Sequence, residues 1–338
     1  MIIIFRKDAS EEQIQGAIRK IESLGYTPHL SRGTVKTICG VTGDDRAIAD
    51  SEFDQLPGVE GVIRVLKPYK LASREFHPDP TRVEVGGISI GPGTFAVIAG
   101  PCSVETEEQV DSSAALVARH GLKLLRGGAF KPRSSPYSFQ GLGEQGLQIL
   151  ADAARRHGLT VVTEIMSEHD VDLVARYTGI FQVGARNMQN FALLKALGET
   201  RTPVLLKRSM MGTIEELLLS AEYLMKGGNP RVILCERGIR TFETQTRNTL
   251  DIAAVPVIKR LSHLPIFVDP SHATGDWHYV IPASLAAIAV GADGIIVEIH
   301  PDPSMAKSDG KQSLNYAHFD DLVERLRGLA PHLGVEVR

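Results

Sequence analysis

Two hydrophobic rhythms divide this chain. Residues 2–5 are Ile-Ile-Ile-Phe, an apolar, largely β-branched run that predicts a strand. Ser10 then offers an N-cap, with Gln13 three residues on to complete a capping box. Ile14, Ala17, Ile18, Ile21 and Leu24 follow at helical spacing until Gly25 can end the helix. Residues 27–30 and 35–41 predict two short strands around the turn Ser31-Arg32-Gly33. A weaker helix is expected over 47–56, broken by Pro57-Gly58, with a last strand over 59–66. The order βαββαβ predicts a ferredoxin-like unit over residues 1–66.

Residues 67–93 read as a linker carrying Pro68, Pro78 and Pro80, then a hairpin. The hairpin pairs 83–85 with 88–90 around Gly86-Gly87, at the bottom of the following domain. From residue 94 to 338 the rhythm changes to near-continuous apolar runs alternating with helical patterns. The runs are 95–99, 122–125, 160–162, 180–183, 204–206, 232–234, 266–268 and 294–297. Strands that are apolar on both faces belong to a buried parallel sheet. Eight βα units in about 250 residues predict a TIM (β/α)8 barrel. The alternative is a doubly wound open sheet, but no Gly-x-Gly-x-x-Gly follows an early strand.

Polar and charged residues follow each of the eight runs, where a barrel of this kind carries its active site. They include Gly100-Pro101-Cys102-Ser103, Arg126, Lys131 and Arg133, Glu164, Arg186, Lys207-Arg208, Glu236-Arg237, Asp269-Pro270-Ser271-His272, and Glu298. Arg126, Lys131, Arg133, Arg186, Lys207, Arg208 and Arg237 would converge on one mouth. So many cations in a partly buried place require counter-charges, which points to a substrate bearing phosphate and carboxylate groups. Cys102, His272, Glu298 and Asp309 form a second set. The first, seventh and last loops are neighbours in a closed barrel, and a mixed S/N/O set suits a borderline divalent transition metal. A lone Cys or His is more often structural, and Cys39 and Cys235 are expected to be core.

Composition narrows the class. The chain has 338 residues, 43% apolar and 23% charged, with net charge −3. That balance gives no support for a general nucleic-acid binder or a basic membrane module. Three cysteines without a Cys-x-x-Cys pair fit a reducing cytosol. The first residues lack a signal-peptide pattern, and no apolar stretch approaches the roughly 18 residues of a membrane helix. The expected location is cytoplasmic.

Two segments are specific enough to indicate a family. The run Leu125-Arg126-Gly127-Gly128-Ala129-Phe130-Lys131-Pro132-Arg133-Ser134-Ser135-Pro136-Tyr137-Ser138-Phe139-Gln140-Gly141 resembles the substrate loop of the 3-deoxy-D-arabino-heptulosonate 7-phosphate (DAHP) synthases. Ala99-Gly100-Pro101-Cys102-Ser103 resembles that family's first metal-bearing strand end. Val183-Gly184-Ala185-Arg186-Asn187, Val268-Asp269-Pro270-Ser271-His272 and Ser308-Asp309-Gly310-Lys311-Gln312-Ser313 agree in order and spacing. The N-terminal part resembles the ferredoxin-like extension of one branch of the family, not a fused mutase segment.

The resemblance implies that Cys102, His272, Glu298 and Asp309 hold one divalent ion: manganese, iron, cobalt or zinc. It implies that Arg126, Lys131, Arg186, Lys207 and Arg237 bind phosphoenolpyruvate, and that Arg133 and Ser134 take the phosphate of erythrose 4-phosphate. Lys131 is the candidate for proton transfer, with a pKa expected to be lowered by neighbouring arginines, and Glu164 the candidate to orient water. The related synthase that makes an eight-carbon sugar acid from arabinose 5-phosphate carries Lys-Ala-Asn-Arg in place of Lys131-Pro132-Arg133-Ser134. The family is usually tetrameric and inhibited by tyrosine or phenylalanine. His29, Ser31 and Gly33 are the candidate effector contacts. A non-catalytic protein binding phosphorylated metabolites and a metal-dependent aldolase are the remaining alternatives.

Overall fold

The structure is a computed structural model that describes residues 1–33, 36–42, 48–49, 51–63, 68–131, 135 and 137–338. By contacts it divides into Met1–Pro80 with Arg260–His263, and Thr81–Lys259 with Leu264–Arg338.

The first unit is built on the elements β1 (Ile2–Phe5), α1 (Glu11–Ser23), β2 (Thr27–Arg32), β3 (Thr37–Thr42), α2 (Ser51–Asp54) and β4 (Val59–Ile63). Ser10 and Gln13 form the expected capping box, each side chain accepting from the other's backbone N–H. This satisfies two of the donors that the first helical turn leaves open. The sheet is antiparallel in the order β2-β3-β1-β4, the ferredoxin-like arrangement. Ile3, Phe5, Cys39 and Val41 meet Ile14, Ala17, Ile21 and Phe53 in its core. The second helix is shorter than the 47–56 expected, a single turn anchored by buried Phe53. Residues 64–66 and Val35 of the expected strands lie outside the described residues. The segment 68–80, read as a linker, is folded within this unit. Phe76 is buried with its ring edge-on to His29, and the His77 ring lies tilted against His263 with centroids 4.5 Å apart.

The second unit opens with the hairpin β5 (Val83–Val85) and β6 (Ile88–Ile90). Eight parallel strands follow: β7 (Thr94–Gly100), β8 (Leu124–Arg126), β9 (Thr160–Ile165), β10 (Ile180–Val183), β11 (Val204–Lys207), β12 (Val232–Glu236), β13 (Ile266–Val268) and β14 (Gly294–Glu298). Each pairs with the next, and β14 closes on β7 from Gly294↔Ala96 to Glu298↔Gly100. Around them lie α3 (Glu107–Arg119), α4 (Glu144–Arg156), α5 (Val171–Ala175), α6 (Phe191–Gly198), α7 (Ile214–Lys226), α8 (Ala254–Leu261), α9 (Pro270–Thr274), α10 (Trp277–Ala289) and α11 (Tyr316–Leu329). A short final strand, β15 (Glu336–Val337), adds to β7 at Thr94 and Phe95. This is a closed (β/α)8 barrel.

Strand side chains alternate between the two faces with period two. Ala96, Ile98, Leu124, Val162, Ile180, Leu205, Ile233, Cys235, Phe267 and Ile296 form one inward-facing cluster. Val83, Ile88 and Ile90 of the hairpin belong to the same cluster, so the hairpin packs on the barrel interior. The outward set, such as Phe95, Val97, Phe181 and Leu206, is equally buried. Burial on both faces is why the strands read as continuous apolar runs.

Candidate functional site

The same inward phase, carried one step further up each strand, generates the site. Counting by two from the core residues reaches Arg126, Glu164, Gln182, Lys207, Arg237, Asp269 and Glu298 at the carboxyl ends of β8 to β14. All seven are buried. Above them is a cavity of about 440 Å³. Its lining includes Lys131, Arg186, Lys207, Arg237, Arg240 and Arg247, against the carboxylates of Glu164 and Asp309. An excess of cations in an enclosed space favours an anionic occupant.

The cations differ in how they are held. Lys207 donates to Asp269 at 2.5 Å. Lys131 donates to the Cys102 carbonyl at 3.0 Å and to Cys102 Sγ at 3.1 Å. Burial works against the Lys131 charge, but Cys102, Glu164 and Glu298 outweigh it together with the opposing Arg126, so its pKa is raised. The expected lowering by arginines is thus corrected: the groups that favour the Lys131 proton outweigh burial and Arg126. Arg237 is buried, and its Nη1 has no hydrogen-bond partner among the described residues. Burial pulls its pKa below the ordinary arginine value, against Asp269.

Arg126 lies at the floor and is not among the cavity-lining residues. It donates to Glu298 Oε1 at 2.5 Å and to the Cys102 carbonyl at 3.1 Å. Arg208 does not converge on the mouth as expected. It follows Lys207 in the opposite phase and pairs with Glu236 at 2.9 Å and Asp251 at 2.8 Å. Arg133 and Ser134 lie outside the described residues. Sequence reasoning missed Gln182, Arg240, Arg247 and Asn248. Gln182 was legible from the strand phase. The others sit in the long polar loop after β12, whose path no local pattern reveals.

Cys102, Glu298 and Asp309 bring one ligand atom each to within 4.8 Å of one another. Cys102 Sγ lies 3.2 Å from Asp309 Oδ2, and His272 Nε2 lies 3.4 Å from Glu298 Oε1. The structure therefore gathers three of the four predicted donors, Cys102, Glu298 and Asp309, while His272 lies beside them and approaches the Glu298 carboxylate. Burial lowers the His272 pKa, against the pull of Asp269 and Glu298. Burial opposes the Glu298 charge, yet His272, Arg126 and Lys131 hold its pKa well below the carboxylate range. Burial, aided by Glu298, pushes the Cys102 thiol up to about 12. His272 Nδ1 is 2.8 Å from Asp269 Oδ2, though not in hydrogen-bond alignment. A thiol and two carboxylates within reach of one another, with an imidazole beside them, are a donor set whose chemistry fits a divalent transition metal. A carboxylate behind the histidine is the usual outer partner of such a ligand.

In the first unit, His29 and Ser31 lie on β2, two residues apart and hence on one face of the sheet. The Gly33 N–H donates to the Lys36 carbonyl at 3.0 Å.

Fold and site together define the class: a (β/α)8-barrel enzyme with its polar chemistry at the carboxyl ends of the strands. Residues 72–333 match the DAHP synthetase I family, and residues 1–67 match the DAHP synthase ferredoxin-like domain. The chain belongs to the DAHP synthetase I family. It is 55% identical over 337 residues to a phospho-2-dehydro-3-deoxyheptonate aldolase of Thermotoga maritima, covering 100% of both chains. A crystal structure of that aldolase (DAHP synthase) from Thermotoga maritima superposes with a TM-score of 0.80 at 55% identity, over 100% of this chain and 99% of the other. A 2-dehydro-3-deoxyphosphooctonate aldolase of Syntrophobacter fumaroxidans is 30% identical over 261 residues, 72% of this chain and 90% of its own.

Proposed function

We propose that this enzyme condenses phosphoenolpyruvate with erythrose 4-phosphate and water to give 3-deoxy-D-arabino-heptulosonate 7-phosphate and phosphate. The observation that carries the reading is the cation-lined cavity opening beside the Cys102, His272, Glu298 and Asp309 cluster. The full-length similarity to the Thermotoga aldolase supports the same substrates.

Lys131, Arg186, Lys207 and Arg237 bind the carboxylate and phosphate of phosphoenolpyruvate, holding its C3 toward the aldehyde. Cys102, His272, Glu298 and Asp309 would hold a divalent ion, which would supply Lewis acidity toward that aldehyde. The C3–C1 bond forms, and Lys131, protonated at rest, gives a proton to the developing hydroxyl. Glu164 orients the water that adds at C2 and takes up its proton. Cleavage of the C2–O bond then releases phosphate and leaves the ketone. Residues 1–66 serve as a regulatory unit, with His29, Ser31 and Gly33 contacting tyrosine or phenylalanine. The expected assembly is a cytoplasmic homotetramer, and a tetrameric mass in light scattering tests that state.

The eight-carbon reaction is the second reading, favoured only by the 30% relatives that match the barrel. The test is phosphate release from phosphoenolpyruvate with either aldose. Release with erythrose 4-phosphate, abolished by a chelator, is expected. Release with arabinose 5-phosphate alone would transfer the assignment, and release with neither would leave a binding protein. Cys102→Ala and His272→Ala should each abolish metal-dependent turnover. Full activity in either variant would refute the metal role.

A further inference from the structure

The loop that carries Asp309 shows an arrangement the reaction above does not use. Asp309 is the single non-glycine residue with positive φ among the described residues, at φ 51 and ψ 31. That left-handed conformation is unfavourable for a residue with a Cβ. The chain is held there by its surroundings. A Cβ on the next residue, Gly310, would lie 2.1 Å from the Pro303 carbonyl oxygen, so the turn packs backbone against backbone. The Asp309 carbonyl accepts from the Gln312 N–H at 3.2 Å and the Ser313 hydroxyl at 3.2 Å.

Gln312, almost wholly buried, stands between the two carboxylates of the donor cluster. Its Nε2 donates to Glu298 Oε2 at 2.7 Å, and its Oε1 accepts from Arg247 Nη1 at 2.8 Å. The same Nη1 reaches Asp309 Oδ1 at 3.2 Å. A carboxylate cannot donate and a guanidinium cannot accept, so the amide has one consistent orientation. The bridge thereby holds each carboxylate at one oxygen and turns the other toward the cluster, where Glu298 Oε1 also accepts from Arg126. Asp309 Oδ2 faces Cys102 Sγ, while Glu298 Oε1 faces His272 and Arg126. Turning either carboxylate breaks a bond of this bridge. Arg247 is itself placed by its loop. Its N–H donates to the Thr274 carbonyl at 2.9 Å, and the Asn248 N–H donates to the Ala273 carbonyl at 2.8 Å. The loop after β12 is thus fastened beside the helix that carries His272.

We propose that Gln312 and Arg247 are positioning residues for the metal centre: a neutral amide and one cavity-wall guanidinium that set Glu298 and Asp309 in ligating orientation and tune the affinity for a divalent cation. The bridge runs Glu298–Gln312–Arg247–Asp309, so the neutral amide meets Glu298 and the single guanidinium meets Asp309. This inference rests on the metal reading above.

The test is titration of the metal-free full-length protein with cobalt(II), followed by the thiolate-to-cobalt charge-transfer absorption that Cys102 ligation produces. Outer partners of metal ligands typically set affinity by 10–100-fold. Gln312→Leu should weaken cobalt binding by about that factor, and Arg247→Met by roughly tenfold. Circular dichroism of the metal-free proteins should be unchanged. In Gln312→Leu, kcat should recover at saturating metal with little change in the KM for phosphoenolpyruvate, a split that loss of general stability would not produce. Cobalt affinity within twofold of the wild type in both variants would overturn the proposal. If Gln312→Leu does not fold, Arg247→Met, at the partly exposed cavity wall, decides alone. A wild-type protein that gives no charge-transfer band would overturn the metal reading and this inference with it. A normal wild-type band with unaffected variants would overturn the inference alone.

Discussion

Arg237 stands at the head of β12 with a buried guanidinium whose Nη1 lacks a partner among the described residues. An unpaired buried donor is costly until an anion arrives, and a hydrogen bond to a charged group contributes about 1.5–3 kcal/mol. Arg237→Met should therefore raise the KM for phosphoenolpyruvate by roughly 10–100-fold. An unchanged KM in steady-state kinetics would remove Arg237 from the binding set. Gly294 makes a second residue-scale case, this time for stability. A Cβ there would lie 2.3 Å from the Ala96 carbonyl and 2.5 Å from the Phe267 ring, inside a closed strand pair. Gly294→Ala should cost about 3 kcal/mol, because neither a backbone carbonyl nor a packed ring can give way cheaply. A denaturation midpoint equal to the wild type would contradict that packing.

Among the elements, the segment 68–80 offers a pH-dependent contact. His263 Nε2 donates to the Leu71 carbonyl at 2.7 Å, and the ring lies tilted against His77. Burial, with His77 and Arg74 adding to it, lowers the His263 pKa to about 4. The unfolded chain, with a histidine pKa near 6.5, therefore takes up the proton first as pH falls. The contribution of neutral His263 is complete above about pH 6.5 and is lost progressively toward pH 4. The full span amounts to about 3 kcal/mol. Urea unfolding of the wild type should weaken over that window. His263→Gln, which keeps a donor but does not titrate, should flatten the dependence; an unaltered slope would count against this assignment.

For the molecule as a whole, the question is what residues 1–66 contribute. The barrel has its own closed sheet and its own core, which includes the hairpin. A protein lacking the first 66 residues is expected to keep phosphate release with erythrose 4-phosphate and to lose inhibition by tyrosine or phenylalanine. Retained inhibition in that fragment would move the effector site away from His29, Ser31 and Gly33.

Much is legible in the sequence itself, and for a physical reason. Local signals act over a few residues, so the Ser10–Gln13 box, the hairpin and the eight apolar runs identified elements at nearly their observed positions. Period-two alternation carries the strand-end phase as well, but the sequence reading did not apply it: Lys207 and Arg208 were both expected at the mouth, and Gln182 was missed. The second helix of the first unit came out shorter because one turn held by Phe53 is decided by packing, not by propensity. Residue types by themselves thus determined the barrel, the cation excess and the candidate S/N/O donors. Tertiary structure alone decided which cations line the cavity and which buried carboxylates they pair with, as Arg126 does with Glu298 and Arg208 with Glu236. It alone set the raised pKa of Lys131 and brought Arg247 and Gln312 to Asp309. Charge–charge energies depend on distance and burial, and across 62 positions of chain between Arg247 and Asp309 those quantities exist only once the fold has closed.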